Sequence, residues 1–160
     1  MPDSLLIIAR NEAVNASKTT GTFGEELAAD FLIENNFRLV MANFKVPVGR
    51  NGKGVQVTGE IDIIGIEDGT LCFIEVKTRR SNEIASPIAA VDLRKQRQII
   101  RTAKVYRSIF GVTRVPFRFD VVSVLLNAGK PPQIELARNF WTEDKFRKRS
   151  WRSAAGYDFY

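Results

Sequence analysis

Two runs rich in β-branched and aromatic residues, 55–66 and 70–77, flank Glu67-Asp68-Gly69. Asp-Gly between such runs is the strongest short-range hairpin signal, because the favoured two-residue turn needs a positive φ at both loop positions. With Asp68 and Gly69 in the loop, Glu67 faces Thr70, Ile64 faces Phe73, Asp62 faces Glu75 and Glu60 faces Lys77. Side chains alternate faces along a strand. One face therefore carries Ile66, Ile64, Leu71 and Phe73 near the turn, with Glu60, Asp62, Glu75 and Lys77 farther out. The other carries Ile61, Ile63, Cys72, Ile74 and Val76.

Two acids directly opposite on paired strands repel each other. A divalent cation between them would offset this, and Mg²⁺ is commonly held by one or two carboxylates plus water and substrate phosphate. The alternative is an exposed hairpin whose acids sit on a wet face, with Lys77 pairing to Glu60. Spacing alone leaves both open. The apolar far face and the partly apolar near face indicate strands buried on two sides, where acids need partners. A slip of one residue would separate Asp62 from Glu75 and remove the proposed site.

The chain of 160 residues is expected to form one main domain. It has no histidine, which excludes imidazole acid–base chemistry, Ser-His and Cys-His nucleophile pairs and His-ligated metals. Any catalysis falls to carboxylates, lysine and metal-activated water. The lone Cys72, within an apolar strand, reads as a small core residue. A net charge of +6 points modestly toward a polyanionic partner such as nucleic acid. No apolar run approaches a membrane span, and residues 5–9 are too short for a signal-peptide core, so a cytoplasmic location is expected.

Along the chain, residues 1–18 read as an N-terminal arm. Thr22 and Glu25 fit a capping box opening a helix that ends at Asn35-Asn36, with Phe23, Leu27, Ala28, Phe31 and Leu32 on its apolar face. Glu25 projects near the edge of that face and can reach inward, whereas Glu26 points away. A strand over 37–46 is followed by a basic glycine-rich loop, 47–54, whose Arg50 and Lys53 are candidates for contact with a nucleic-acid backbone. After the hairpin, Arg79 and Arg80 open a polar loop and are further candidates for such contact. Ser86-Pro87 signals a helix running to about Phe110. Lys95 falls in its apolar stripe and Gln96 beside it; either they point toward the carboxylates or Lys95 snorkels outward. Arg94, Arg97, Arg101, Lys104 and Arg107 cover the remaining surface. Strands over 118–126 and 133–137 follow, with Asp120 either supporting the site or paired with an arginine. From Asn139 onward, Phe140, Trp141, Phe146, Trp151, Tyr157, Phe159 and Tyr160 alternate with lysine and arginine. Such a tail suits stacking on nucleic acid, but packing onto the core or a second copy is slightly favoured. The expected division is an arm at 1–18, a main domain at 19–137 and an aromatic, basic tail at 138–160.

The order and motifs together resemble the PD-(D/E)xK nuclease fold. More closely, they resemble the YraN-like family of small bacterial proteins, themselves similar to archaeal Holliday junction resolvases. The carriers are Gly21-x-x-Gly24-Glu25-x-x-Ala28, Gly59-Glu60-Ile61-Asp62-Ile63-Ile64, Phe73-Ile74-Glu75-Val76-Lys77-Thr78-Arg79, Ala90-Val91-x-x-x-Lys95-Gln96 and Arg118-Phe119-Asp120-Val121-Val122. Where the family pattern has an aromatic–arginine pair after an asparagine, this chain has Phe44-Lys45. The resemblance implies an α/β, restriction-endonuclease-like three-layer core: a mixed central sheet flanked by helices, in the order α-β-β-β-α-β-β. It implies Mg²⁺ or Mn²⁺ held by Asp62, Glu75 and the Val76 carbonyl. Lys77 would activate water and stabilise phosphate charge. Glu25 would hold metal-bound water, and Gln96 with Lys95 would position water or phosphate. The implied activity is endonucleolytic cleavage of nucleic acid, DNA before RNA and including branched DNA, with a homodimer as the arrangement that symmetric junctions call for. A non-catalytic binding or interaction module on the same fold is the alternative.

Overall fold

The computed structural model describes residues 20–80 and 91–147. The N-terminal arm, the Ser86-Pro87 helix start and the tail beyond Arg147 lie outside the described residues. The elements are α1 (Thr20–Glu34), β1 (Arg38–Arg50), β2 (Gln56–Glu67), β3 (Thr70–Arg80), α2 (Leu93–Ile109), β4 (Phe117–Leu126) and β5 (Gln133–Trp141). The strands form one sheet in the order β1-β2-β3-β4-β5, antiparallel except for the parallel β3–β4 pair. Parallel neighbours need a crossover, and the segment containing α2 provides it.

The sheet is buried on both faces, giving the three-layer α/β core the resemblance implies. On one face Ala28 and Leu32 of α1 pack with Leu39, Ile63, Cys72, Ile74, Val76, Val122 and Val124. On the other, Ile99, Ala103 and Tyr106 of α2 pack with Ile61, Ile64, Leu71, Phe73, Phe119, Val121 and Trp141. Phe73 is central to this second layer, with Tyr106, Phe117 and Phe119 ring centroids within 6.2 Å. Cys72 is buried as expected, and burial raises its thiol pKa to about 12.

The hairpin register near the turn is the expected one: Glu67 pairs with Thr70 and Ile64 with Phe73. Asp68 and Gly69 take φ values of 47° and 76°, the left-handed pair the turn demands. Farther out the expectation fails. The β2–β3 ladder ends at Ile63↔Ile74, so the Asp62–Glu75 and Glu60–Lys77 pairs do not form. Ile61 packs in the α2-side layer and Ile63 in the α1-side layer, although a regular strand would put both on one face. The outer half of β2 leaves β3 and continues with β1 as a two-stranded ribbon.

Other boundaries shift for identifiable reasons. β1 runs through Pro47 to Arg50 because a register shift between Pro47 and Gly49 accommodates the missing proline N–H, so much of the expected loop is strand. A similar shift places Leu39 and Met41 against opposite layers. α1 is already helical at Thr20, which puts Thr22 inside the first turn rather than at a cap. α2 begins at Leu93, with Asp92 as its cap accepting the Lys95 N–H at 2.8 Å. β5 runs four residues past Ala137 because an irregularity opposite Asp120, with Asn139 at φ 50°, returns the strand to register. Trp141 is thereby buried, stacked on Phe119 at 5.2 Å, so this aromatic belongs to the core.

Candidate functional site

The site forms where β2 and β3 part. The Val76 N–H, which a continued ladder would give to a backbone carbonyl, donates instead to Asp62 Oδ2 at 2.8 Å. Asp62 thus bridges the gap between the strands with its side chain. Glu75 lies on β3 with only 2% exposure, and Lys77 two residues on reaches its Oε1 at 2.9 Å. From α2, Lys95 approaches Glu75 Oε2 at 3.3 Å. Of the two expectations for Lys95, inward projection is therefore the one observed. The expected Glu60–Lys77 pair is absent: Glu60 pairs with Lys45 across the β1–β2 ribbon at 3.2 Å.

Two glycines let the helices close on the sheet beside these residues. A Cβ at Gly24 would lie 1.7 Å from Thr78 Oγ1, so only glycine permits α1 to approach β3 this closely. A Cβ at Gly59 would lie 2.0 Å from Thr102 Oγ1, which fixes the approach of α2 to β2. Gln98 of α2 also donates to the Thr58 carbonyl at 2.8 Å, holding the outer part of β2.

The electrostatics are unbalanced. Burial, then the charge of Glu75, raises the Asp62 pKa to about 7, against the lowering effect of the Val76 N–H. Glu25 is raised by burial too, opposed by a hydrogen bond from the Asn43 side chain and reinforced by Glu60 and Glu75. Glu75 Oε2 lacks a properly oriented hydrogen bond despite the nearby Lys95 ammonium. Gln96, 5% exposed, donates from Nε2 to the Val91 carbonyl at 2.8 Å, but its Oε1 has no partner. Buried acceptors are normally satisfied, so two orphans here are a specific signal.

The structure thus gathers Glu25, Asp62, Glu75, Val76, Lys77 and Lys95 in one region, whereas Gln96, on the buried face of α2, is held by the Val91 carbonyl. Arg79 and Arg80 join Gly21, Glu25, Val76, Lys77 and Thr78 along a groove of about 570 Å³. Arg50 and Lys53 are not brought to it. They lie at the ribbon tip, where Arg50 donates to the Gly54 carbonyl at 2.7 Å and Asn51 Oδ1 accepts the Lys53 N–H at 2.9 Å. Six residues of strand separate Gln56 from Asp62, roughly 20 Å of chain at about 3.3 Å per residue. Asp120 is remote as well, bound by both carboxylate oxygens to Arg118 Nε at 2.9 Å. Asn43 is the residue that sequence reasoning passed over. Its φ of 52° within a strand marks it, but its contact with Glu25 depends on the packing of α1.

Residues 24–124 match the profile described as "Uncharacterised protein family UPF0102". The chain belongs to this family. A UPF0102 protein of Chlorobium phaeobacteroides is 40% identical over 116 residues, covering 72% of this chain and 84% of its own. One from Caldanaerobacter subterraneus is 35% identical, covering 71% and 84%. One from Koribacter versatilis is 42% identical, covering 70% and 72%. The family assignment agrees with the YraN-like resemblance read from the motifs, and the matched span contains Glu25, Asp62, Glu75, Lys77, Lys95 and Gln96. Among the described residues, no helix is long and apolar enough to cross a membrane.

Proposed function

We propose that this family member is a divalent-metal-dependent endonuclease that hydrolyses phosphodiester bonds in DNA. The observation that carries the reading is the gap in the β2–β3 ladder, occupied by the Asp62 carboxylate, with the buried charge of Glu75 near enough to raise the Asp62 pKa. Among the described residues, no three His, Cys, Asp or Glu side chains gather to cage a metal by themselves. Two carboxylates and a backbone carbonyl fit a different kind of site, a hard cation that keeps several waters and takes phosphate oxygens from its substrate. Asp62, Glu75 and the Val76 carbonyl would hold Mg²⁺ or Mn²⁺. Such an ion supplies a Lewis acid for the phosphate and lowers the pKa of water.

The chain's own groups complete the arrangement. Lys77 and Lys95 offset the charge of Glu75 and give the phosphate a cationic wall. Lys77 also lies beside the groove, where it can orient an attacking water. Glu25, raised in pKa by its burial, is the acid of the groove suited to exchange a proton with water. Gln96 Oε1, free to accept, can fix a water against the α2 side. Arg79 and Arg80 extend positive charge along the groove.

The test is cleavage of labelled single strands, duplex, flaps and four-way junctions with Mg²⁺, with Mn²⁺ and with chelator, comparing wild type and the Asp62→Asn/Glu75→Gln variant. Metal-dependent cleavage absent in the variant supports the assignment and ranks substrates. One observation favours a second reading, a binding module without turnover: Glu75 already has two lysines compensating its charge. Metal-indifferent binding with no cleavage, equal in both proteins, would select it.

A further inference from the structure

α2 is chemically unlike the rest of the chain. Six of the 24 lysines and arginines lie in its 17 residues, and none of the 18 acids does. This one helix therefore accounts for the whole net charge of +6. Its inner face buries Gln96, Ile99, Thr102, Ala103 and Tyr106. Arg94, Arg97, Arg101 and Lys104 are exposed and recur at intervals of three, four and three residues. That spacing aligns them on one side of a helix, over roughly 15 Å at about 1.5 Å per residue.

The stripe is unbalanced within the protein. None of these four side chains makes an ion pair among the described residues; Arg97 instead lies over the Phe146 ring at 5.1 Å. Asp92, the nearest acid along the chain, accepts the Lys95 N–H as the helix cap. Like charges three and four residues apart each destabilise a helix by about 0.2–0.5 kcal/mol. The arrangement is unfavourable until an extended anion lies along it. Among the described residues, the aromatic ring beside the four is the partly buried Phe146, covered by Arg97, so the contact these cations offer is with a phosphate backbone rather than splayed bases. The stripe begins one residue from Lys95, whose ammonium sits on Glu75.

We propose that the outer face of α2 binds the backbone of duplex nucleic acid flanking the phosphate held at the Asp62–Glu75 site. This rests on the nuclease reading for the position of that phosphate and extends it by naming duplex as the bound form. Equilibrium binding of the full chain tests it, with a labelled 30-base-pair duplex, the matching single strand and anionic lipid vesicles, across a KCl series without divalent metal. The variants are R94Q/R97Q/R101Q/K104Q and the charge-keeping R94K/R97K/R101K.

The glutamine variant is expected to bind duplex at least ~10-fold more weakly at about 0.1 M salt. Its log K against log[salt] slope should be shallower by about 2–3, since each phosphate contact contributes about 0.9. The lysine variant should bind as wild type does. An unchanged slope in the glutamine variant would overturn the proposal, as would an equal loss on the single strand or a loss confined to vesicles. Metal-dependent cleavage persisting alongside an unchanged slope defeats this inference alone. A wild type that neither binds nor cleaves any nucleic acid defeats the nuclease reading with it.

Discussion

The β2–β3 hairpin has a cluster of carboxylates at each end, and the two are treated oppositely. At the turn end, Glu67 accepts from Arg118 and, at 2.6 and 2.9 Å, from Arg138, while Asp120 takes Arg118 Nε on both oxygens and the Asn139 N–H at 2.8 Å. Hydrogen bonds from Arg138, outweighing desolvation and joined by Arg118, hold the Glu67 pKa down at about 2. At the other end Asp62 keeps one backbone donor, its pKa is raised to about 7, and Glu75 Oε2 is left without a hydrogen bond. A satisfied cluster is a brace. An acid pair buried with too few donors is a candidate for function, and the proposed metal site is argued from that deficit.

The largest contrast is in activity. Asp62→Asn is expected to lower metal-dependent cleavage by about 10³-fold or more, the loss of several kcal/mol of metal-ion catalysis. Arg118→Met should leave cleavage per folded molecule within about twofold. Single-turnover assays on both proteins check this, and comparable losses would erase the distinction between the two ends.

Stability should reverse the ranking. Arg118→Met strands Asp120, which is fully buried, and is expected to destabilise by about 3–5 kcal/mol in urea titration. Asp62→Asn, measured without metal above pH 7, should instead stabilise by about 2 kcal/mol, because it removes a carboxylate ionised against its surroundings.

The pH dependence follows with opposite signs. Asp62 has a raised folded-state pKa, so its contribution is fully present below about 3.8 and is lost as pH rises through about 7. Glu67 has a depressed one, so its contribution is present above about 4.5 and is lost as pH falls toward about 2. Thermal melts of metal-free protein should lose the decline between pH 4 and 7 in Asp62→Asn. Glu67→Gln should lose the decline below pH 4.5. Saturating Mg²⁺ should raise Tm in wild type and leave Asp62→Asn unmoved.

Smaller effects sharpen the picture. Gly24→Ala forces a Cβ onto Thr78 and should cost about 1–3 kcal/mol, shifting Glu25 and reducing cleavage more than global unfolding explains. Lys45→Met breaks the exposed pair with Glu60, removes a charge that Glu25 also feels, and should change stability by less than about 1 kcal/mol. A large effect there would mean that Glu60 belongs to the site.

Much of this was legible because it is local. Asp68-Gly69 set the turn, the turn set the register as far as Ile63↔Ile74, and alternation along β3 placed Glu75 and Lys77 on one face. The capping box assigned to Thr22 and Glu25 was wrong about the helix start, yet inward projection of Glu25 followed from its angle around the helix. The break at Asp62 was not legible. Alternation extrapolates a strand as if its neighbours continued, and nothing in Gly59-Glu60-Ile61-Asp62 announces that β3 is no longer beside it.

The sequence by itself determined the order of elements, the two-sided burial of the sheet, the absence of histidine chemistry and which acids and lysines are candidates for the site. These follow from periodicity, turn stereochemistry and side-chain type, which a short stretch of chain carries within itself. Tertiary structure alone decided which carboxylates would be satisfied. Arg118 and Arg138 reach Glu67 only because β4 and β5 are laid beside the hairpin, and among the described residues no arginine bonds to Asp62. Desolvation and partner supply are properties of what is packed around a group, so the same residue type became a brace at one end and a candidate metal ligand at the other.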